Sequence, residues 1–274
     1  MIQSRRTWLA WLSAAAAGGL SPALRAQTDF SAYSDADKED FLRRATIVTV
    51  QEIGHGVTKP VRATMELRGV RHSGQVQVVN KELPDYFGAE GKPVPMMDSW
   101  RFNIAAYKVD RLLGLEMVAV AVFREFRGKP AAFSWWVDDV MFEEVDRIKQ
   151  GAEPPDPEDF ERQRAVSRVF DELIFNIDRN LSNLLITKSW QMALIDHTRC
   201  FTPYPGIRNR ENLTRCSRPL LASMKKLDST GIARAVQKFL TPAEISALLA
   251  RRDRIVAFFE QAVQEKGESS VLFG

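Results

Sequence analysis

Apolar residues run in short alternating stretches through the first half of the chain and at three- and four-residue spacing through the second. Ile47-Val48-Thr49-Val50 is β-branched and predicts a strand. Gly54-His55-Gly56 predicts a turn, and Val61 to Leu67 alternates like a second strand. Gly69 marks the next turn, and Gln75 to Val79 the third strand. Ser99 to Leu115 carries Ile104, Tyr107, Leu112 and Leu115 near helical spacing, with Ser99 as N-cap and Gly114 as stop. Val118 to Arg124 and Ala131 to Val137 predict two further strands around Gly128-Lys129-Pro130. The order is five strands with one helix after the third.

The second half reads as helical. Met141 to Gln150 and Glu158 to Ile174 have helical patterns, separated by the loop Gly151-Ala152-Glu153-Pro154-Pro155-Asp156-Pro157. Leu220 to Leu227 and Thr230 to Leu240 follow. Thr241-Pro242-Ala243-Glu244 is a capping-box start, with Pro242 at the first helical position. Ile245, Leu248 and Leu249, then Ile255, Phe258, Phe259 and Val263, continue one apolar face in one long or two adjoining helices. Arg251-Arg252-Asp253-Arg254 reads as a solvated face.

Between these halves lies the stretch with the most chemistry, Phe170 to Phe201. Leu184-Leu185-Ile186 and Met192-Ala193-Leu194-Ile195 are apolar runs across the polar turn Thr187-Lys188-Ser189, which predicts a small hairpin. A hairpin brings its outer ends together, so Asn183 and Asp196 face each other at one edge. An amide oxygen and a carboxylate so placed suit Mg²⁺, which takes hard oxygen ligands. Asp178, five residues before Asn183, sits in the preceding loop within reach of a substrate hydroxyl. On spacing alone, a plain hairpin with Asp and Asn as solvated turn residues is the stronger reading.

D-R-N-L-S-N at 178–183 followed by L-I-D-H at 194–197 resembles the catalytic and metal-binding loops of the phosphatidylinositol 3-/4-kinase-like branch of the kinase superfamily. Small bacterial kinases of the toxin type and secreted atypical kinases have related loops. The resemblance implies Asp178 as catalytic base and Asn183 and Asp196 as metal ligands, with His197 where those kinases often carry Phe. It implies an α+β, two-lobed protein-kinase-like fold, with a small five-stranded N-lobe holding one helix and a mostly helical C-lobe. Gly54, His55 and Gly56 then form the nucleotide-covering loop, glycine letting backbone N–H groups approach phosphate. Phe133-Ser134-Trp135-Trp136-Val137 runs into the hinge. The implied cofactors are ATP with Mg²⁺ or Mn²⁺, and the partners a nucleotide and an unidentified phosphate acceptor.

The chain departs from that family at two places. The third strand of a kinase carries a Lys for the phosphates and the helix a Glu that pairs with it. Here Gln77 and Asn103 stand in those positions. The two amides can hydrogen-bond one another, yet supply no full positive charge against phosphate. Lys59 and Lys81 are the nearby candidates for that charge. Two principal readings follow: an atypical phosphotransferase, or a catalytically impaired pseudokinase that binds nucleotide or a partner. A third, weaker one is an envelope protein whose cleft binds another phosphorylated ligand.

Residues 1–27 are expected to lie outside the fold. Ser4-Arg5-Arg6-Thr7-Trp8-Leu9 resembles the twin-arginine export motif and precedes the moderately apolar run Trp8 to Leu20, with small residues near Ala23 and Ala26 for cleavage. That run falls short of the roughly 20 apolar residues of a membrane span, so a cleaved signal and an uncleaved membrane anchor both stay open. The expectation is a periplasmic or exported kinase-like domain over 28–274, with lobes dividing near residue 138. The formal net charge of +3 decides nothing about anionic partners, and no dense Lys/Arg tract points to nucleic acid. Cys200 and Cys216 are a disulfide pair or two free thiols on equal terms. With only His55, His72 and His197, the histidines are too scattered for a zinc site.

Overall fold

The computed structural model describes residues 30, 32–54 and 59–274. It opens with helix α1 (Asp35–Arg44), started by a capping box between Ser34 and Asp37. Strands β1 (Thr46–Glu52), β2 (Val61–Leu67) and β3 (Val70–Gln77) follow. Arg68 and Gly69 both have positive φ, 52° and 79°, the requirement of a tight two-residue hairpin turn. After β3 the chain forms a separate hairpin, β4 (Asn80–Phe87) and β5 (Pro93–Ser99), before helix α2 (Arg101–Leu113). Strands β6 (Ala121–Phe126) and β7 (Lys129–Trp135) complete a five-stranded antiparallel sheet in the order β1-β2-β3-β7-β6.

Phe41 and Leu42 of α1 are buried in the core. Arg124 of β6 donates from Nη1 to the carbonyls of Leu42 and Ala45 at 3.2 and 2.8 Å, placing a cation on the helix C-terminus. Gly114, at φ 69°, ends α2 as its pattern predicts. Ser99 does not cap that helix. It is the last residue of β5, and its Oγ donates to Asn80 Oδ1 at 2.6 Å.

The remainder is mainly helical. The start of the predicted 141–150 helix is instead strand β8 (Val140–Glu143), because Val140 and Phe142 pair with Thr187 and Ile186; helix α3 (Glu144–Gln150) follows. Helix α4 (Pro157–Ile174) is capped by Asp156. Strands β9 (Leu184–Thr187) and β10 (Met192–Leu194) form the predicted hairpin and join β8 in the order β10-β9-β8. Then come β11 (Cys216–Ser217), α5 (Arg218–Lys226), α6 (Ser229–Val236), α7 (Pro242–Lys266), α8 (Glu268–Val271) and β12 (Leu272–Phe273), which pairs with β11 in parallel. The Thr241–Glu244 capping box is present, and α7 is one helix. Among the described residues no helix is long and apolar enough to cross a membrane.

Arg251 corrects the reading of 251–254 as a solvated face. It is fully buried on α7, donating from Nε to Leu173 O at 2.8 Å and from Nη1 to Thr202 O at 3.0 Å and to Tyr204 O. Burial pushes its guanidinium down to about 9. Carbonyl partners offset part of the cost of burying such a charge. Cys200 and Cys216 are both buried free thiols.

Several contacts join the sheet region to the helical region. Arg101, at the start of α2, forms a bidentate pair with Glu244 at 2.7 Å on each arm and also donates to Phe239 O. Val118 bridges Leu194 of β10. The tip of the β4–β5 hairpin reaches Tyr204, where Ala89 N–H donates to the phenol oxygen at 3.3 Å. Tyr86 packs on both Phe175 and Tyr204, at centroid distances of 5.1 and 5.2 Å.

Candidate active site

The β9–β10 register pairs Leu184 with Leu194, so Asn183 and Asp196 emerge beside one another at the open end. Ile195 N–H donates to Asn183 O at 3.2 Å, and Asn183 Nδ2 donates to Asp178 O at 3.2 Å. The three residues expected to carry the chemistry are therefore gathered around one loop. Asp196 has φ 55°, in the left-handed region that Asp tolerates better than most residues and that recurs at ligand sites.

Gln77 and Asn103 join the same cluster. Gln77 Nε2 donates to Asp196 Oδ1 at 3.0 Å, while Gln77 Oε1 accepts from Asn103 Nδ2 at 2.6 Å. Asn103 Oδ1 in turn accepts from the His197 backbone N–H at 2.8 Å. Both amides are buried, at 2% and 4% exposure, so this chain of hydrogen bonds is well shielded from water. It ties β3, α2 and the Asp196 loop together. The Arg101–Glu244 pair, two residues before Asn103, holds the start of α2 in place.

Sequence reasoning passed over Arg179, the residue that organises the loop. Its Nε and Nη2 donate to the two carboxylate oxygens of Asp171 at 2.9 and 3.0 Å. Its Nη1 donates to Asn183 O at 2.8 Å and Ile195 O at 2.9 Å, and Nη2 reaches His197 Nε2 at 2.9 Å. Burial, with Arg179 alongside, holds the His197 imidazole far below its usual range. It is a neutral acceptor, which gives a histidine at this position a structural role.

Asp98 and Arg199 were also missed. Asp98, on β5, is fully buried, and its Oδ2 accepts from Arg199 Nε at 2.9 Å. Arg199 Nη1 lies 3.2 Å from Asp178 Oδ2. Burial raises the Asp178 carboxyl above its ordinary range, and Arg199 opposes that rise. Lys81 is exposed and directly across the hairpin from Asp98. The one signal for Asp98 in the sequence is a carboxylate directly after the apolar Val-Pro-Met-Met run at 94–97.

The oxygens present fit a hard divalent cation. Asp196 Oδ2 and Asn183 Oδ1 have no hydrogen-bond partner among the described residues. Asp98, Asp178 and Asp196 all act on Arg199, and Arg179, the other cation beside them, is paired with Asp171, leaving surplus negative charge. No group of three His, Cys, Asp or Glu side chains among the described residues is arranged to hold a metal, so any such ion would take two protein ligands and complete its shell from phosphate and water. Gly54 is described, and an added Cβ there would meet nothing within 4 Å. His55 and Gly56 lie outside the described residues.

Two cavities lie near the junction of sheet and helices. A space of about 20 Å³, the size of one water, lies between Gln75, Asn103, Ser134, Trp135 and Asp196. A larger one of about 590 Å³ is lined by Lys38, Arg111, Glu116, Trp135, Asp138 and Lys188. It contains none of Asp178, Asn183 and Asp196, but it shares Val118, Ala119 and Trp135 with the smaller space, which Asp196 lines.

No family model and no curated protein matches this sequence. Solved structures do match its fold. A hydra Fam20 solved with sugar superposes with a TM-score of 0.64 at 12% identity, over 87% of this chain and 91% of that one. The Golgi casein kinase with Mn/ADP bound gives 0.57 at 12% identity, over 87% and 78%. The Helicobacter pylori proinflammatory kinase CtkA gives 0.53 at 10% identity, over 82% and 98%. The five-stranded sheet with its helix and the helical second half are thus a protein-kinase-like α+β fold.

Proposed function

We propose that this chain is an ATP- and metal-dependent phosphotransferase of the atypical kinase type, acting on an alcohol group of an acceptor still to be identified. The observation that carries the reading is the meeting of Asp178, Asn183 and Asp196 around one hairpin end in a kinase-like fold. In this reading Asp178 takes the proton of the acceptor hydroxyl. The acceptor oxygen bonds to the γ-phosphorus as the bond to the bridging oxygen of the ADP leaving group breaks. Asn183 and Asp196 hold Mg²⁺ or Mn²⁺, which supplies positive charge at the phosphate oxygens. Gly54, His55 and Gly56 would cover the phosphates, and Gln77, itself bonded by Asn103 of α2, holds Asp196 from the sheet side. The likeness to the Golgi casein kinase, whose structure contains Mn/ADP, supports nucleotide and metal binding. The finer likeness to the phosphatidylinositol 3-/4-kinase-like branch rests on D-R-N-L-S-N and L-I-D-H. The motif at Ser4 to Leu9 supports export to the periplasm, with the N-terminus as the point of any membrane association.

A specific observation favours the second reading, a pseudokinase. Gln77 spends a donor on Asp196 and brings no charge to the position where kinases place Lys. Thermal melting of the full chain with ATP and Mg²⁺ or Mn²⁺, beside Asp196→Ala, tests the phosphotransferase reading at its first step. Metal-dependent stabilisation lost in Asp196→Ala is expected. No response to any nucleotide or metal would remove the phosphotransferase reading and leave a partner-binding pseudokinase or a cleft for another phosphorylated ligand.

A further inference from the structure

Resting on the phosphotransferase reading, we propose that Arg199 supplies in cis the positive charge that the third strand lacks, binding the terminal phosphates of the nucleotide, and that Asp98 is its positioning residue. Gln77 is neutral and already engaged with Asp196 and Asn103. Arg179 is fully committed to Asp171, two carbonyls and His197. Lys81 is exposed and forms no ion pair among the described residues. Arg199 differs from all three. Its guanidinium lies against the carboxylate of Asp178, where the transferred phosphoryl group must come to meet the acceptor oxygen. It keeps partial access to solvent at 22% side-chain exposure, and Nη2 has no partner among the described residues.

Asp98 gives that placement its rigidity. The carboxylate is fully buried, and only Oδ2 is used, on Arg199 Nε; Oδ1 has no partner among the described residues. A buried carboxylate half satisfied by one arginine is costly unless that arginine stays charged and in place. Asp98 sits on β5, so the hairpin inserted between β3 and α2 carries the anchor. A planar guanidinium presents two donors to phosphate at once, which an ammonium does not. During transfer the acceptor oxygen–phosphorus bond forms, the bond to ADP breaks, and the hydroxyl proton passes to Asp178. Arg199 meets the non-bridging oxygens throughout, as arginines do in other phosphoryl-transfer sites.

The test compares dissociation constants for ATP and AMP, each with Mn²⁺, on the full chain, Arg199→Met, Arg199→Lys and Asp98→Asn. Taking the ATP-to-AMP ratio within each protein removes differences in overall stability. The ratio is expected to fall about tenfold or more in Arg199→Met, the scale of hydrogen bonds to charged groups, and to recover partly in Arg199→Lys. Asp98→Asn leaves the arginine but loosens it, and an intermediate fall is expected; it also carries the comparison if Arg199→Met does not fold. Unchanged ratios in Arg199→Met and Asp98→Asn overturn the role of Arg199 and leave the phosphotransferase reading standing. A parent chain that binds neither nucleotide overturns both.

Discussion

Asn103 on α2 donates a 2.6 Å hydrogen bond to Gln77 on β3, where a kinase would place an ion pair. Because Gln77 passes its own donor to Asp196, the two positions should be energetically coupled. Gln77→Lys leaves Asn103 without its acceptor, and Asn103→Glu sets a carboxylate near Asp196. Each single change is expected to cost about 1–3 kcal/mol. The double variant recreates an ion pair and should recover about 1–3 kcal/mol as a coupling energy. Urea denaturation of the four proteins measures it, and a coupling near zero would mean that the contact is incidental.

Arg179 is expected to tolerate little. Its guanidinium serves five acceptors spread over Asp171, Asn183, Ile195 and His197. Lysine offers three donors from one point and cannot span them. Arg179→Lys should cost on the order of 3–5 kcal/mol, as when a buried charge loses its partner. The urea midpoint is the readout. A midpoint equal to that of the parent would show that the loop is held by other contacts.

How much of this could be seen in the sequence follows from which signals are local. The β9–β10 hairpin was legible because two apolar runs flank a polar turn, and that alone placed Asn183 beside Asp196. Gly114 and the Thr241–Glu244 box were legible because caps are written in adjacent residues. The β4–β5 hairpin was not, since Pro84, Pro93 and Pro95 break the strand pattern and its register shifts between Leu83 and Tyr86. Losing that hairpin hid Asp98, and with it the reason for Arg199. Arg179 and Arg251 were misjudged for another reason. Arg251 bonds only backbone carbonyls far along the chain, and Arg179 combines the Asp171 and His197 side chains with two carbonyls, a set of partners that no residue type announces.

The hairpin tip depends on two missing side chains. A Cβ on Gly88 would stand 2.2 Å from Tyr204 Cε2, and one on Gly206 would stand 2.4 Å from Cε1 of the same ring. Gly88→Ala must push the hairpin away from Tyr204, at a cost of about 1–3 kcal/mol for overpacking. Faster hydrogen exchange over β4 and β5 is the expected result. In a Tyr204→Ala background the same substitution should add nothing, because the ring it strikes is gone. Equal effects in both backgrounds would place the strain elsewhere.

The last prediction concerns pH. Burial raises the Asp178 carboxyl above its ordinary range, Arg199 pulls it down, and Asp196 and Asp98 push it up. A general base works only as the carboxylate, so turnover is lost as pH falls through the folded-state pKa. The acid limb for Mn²⁺-dependent ATP hydrolysis should therefore lie above the pKa of about 3.9 of a free aspartate. Arg199→Met removes the larger of the two cationic neighbours, Arg199 and Arg179, that favour the charged form, so its limb should move to higher pH; Asp98→Asn removes a negative neighbour, but it also loosens Arg199, and the smaller shift has no fixed sign. Limb position is independent of the height of the profile, so a slow variant still reports it. An acid limb that stays put or moves lower in Arg199→Met would mean that the rate-limiting proton does not pass through Asp178.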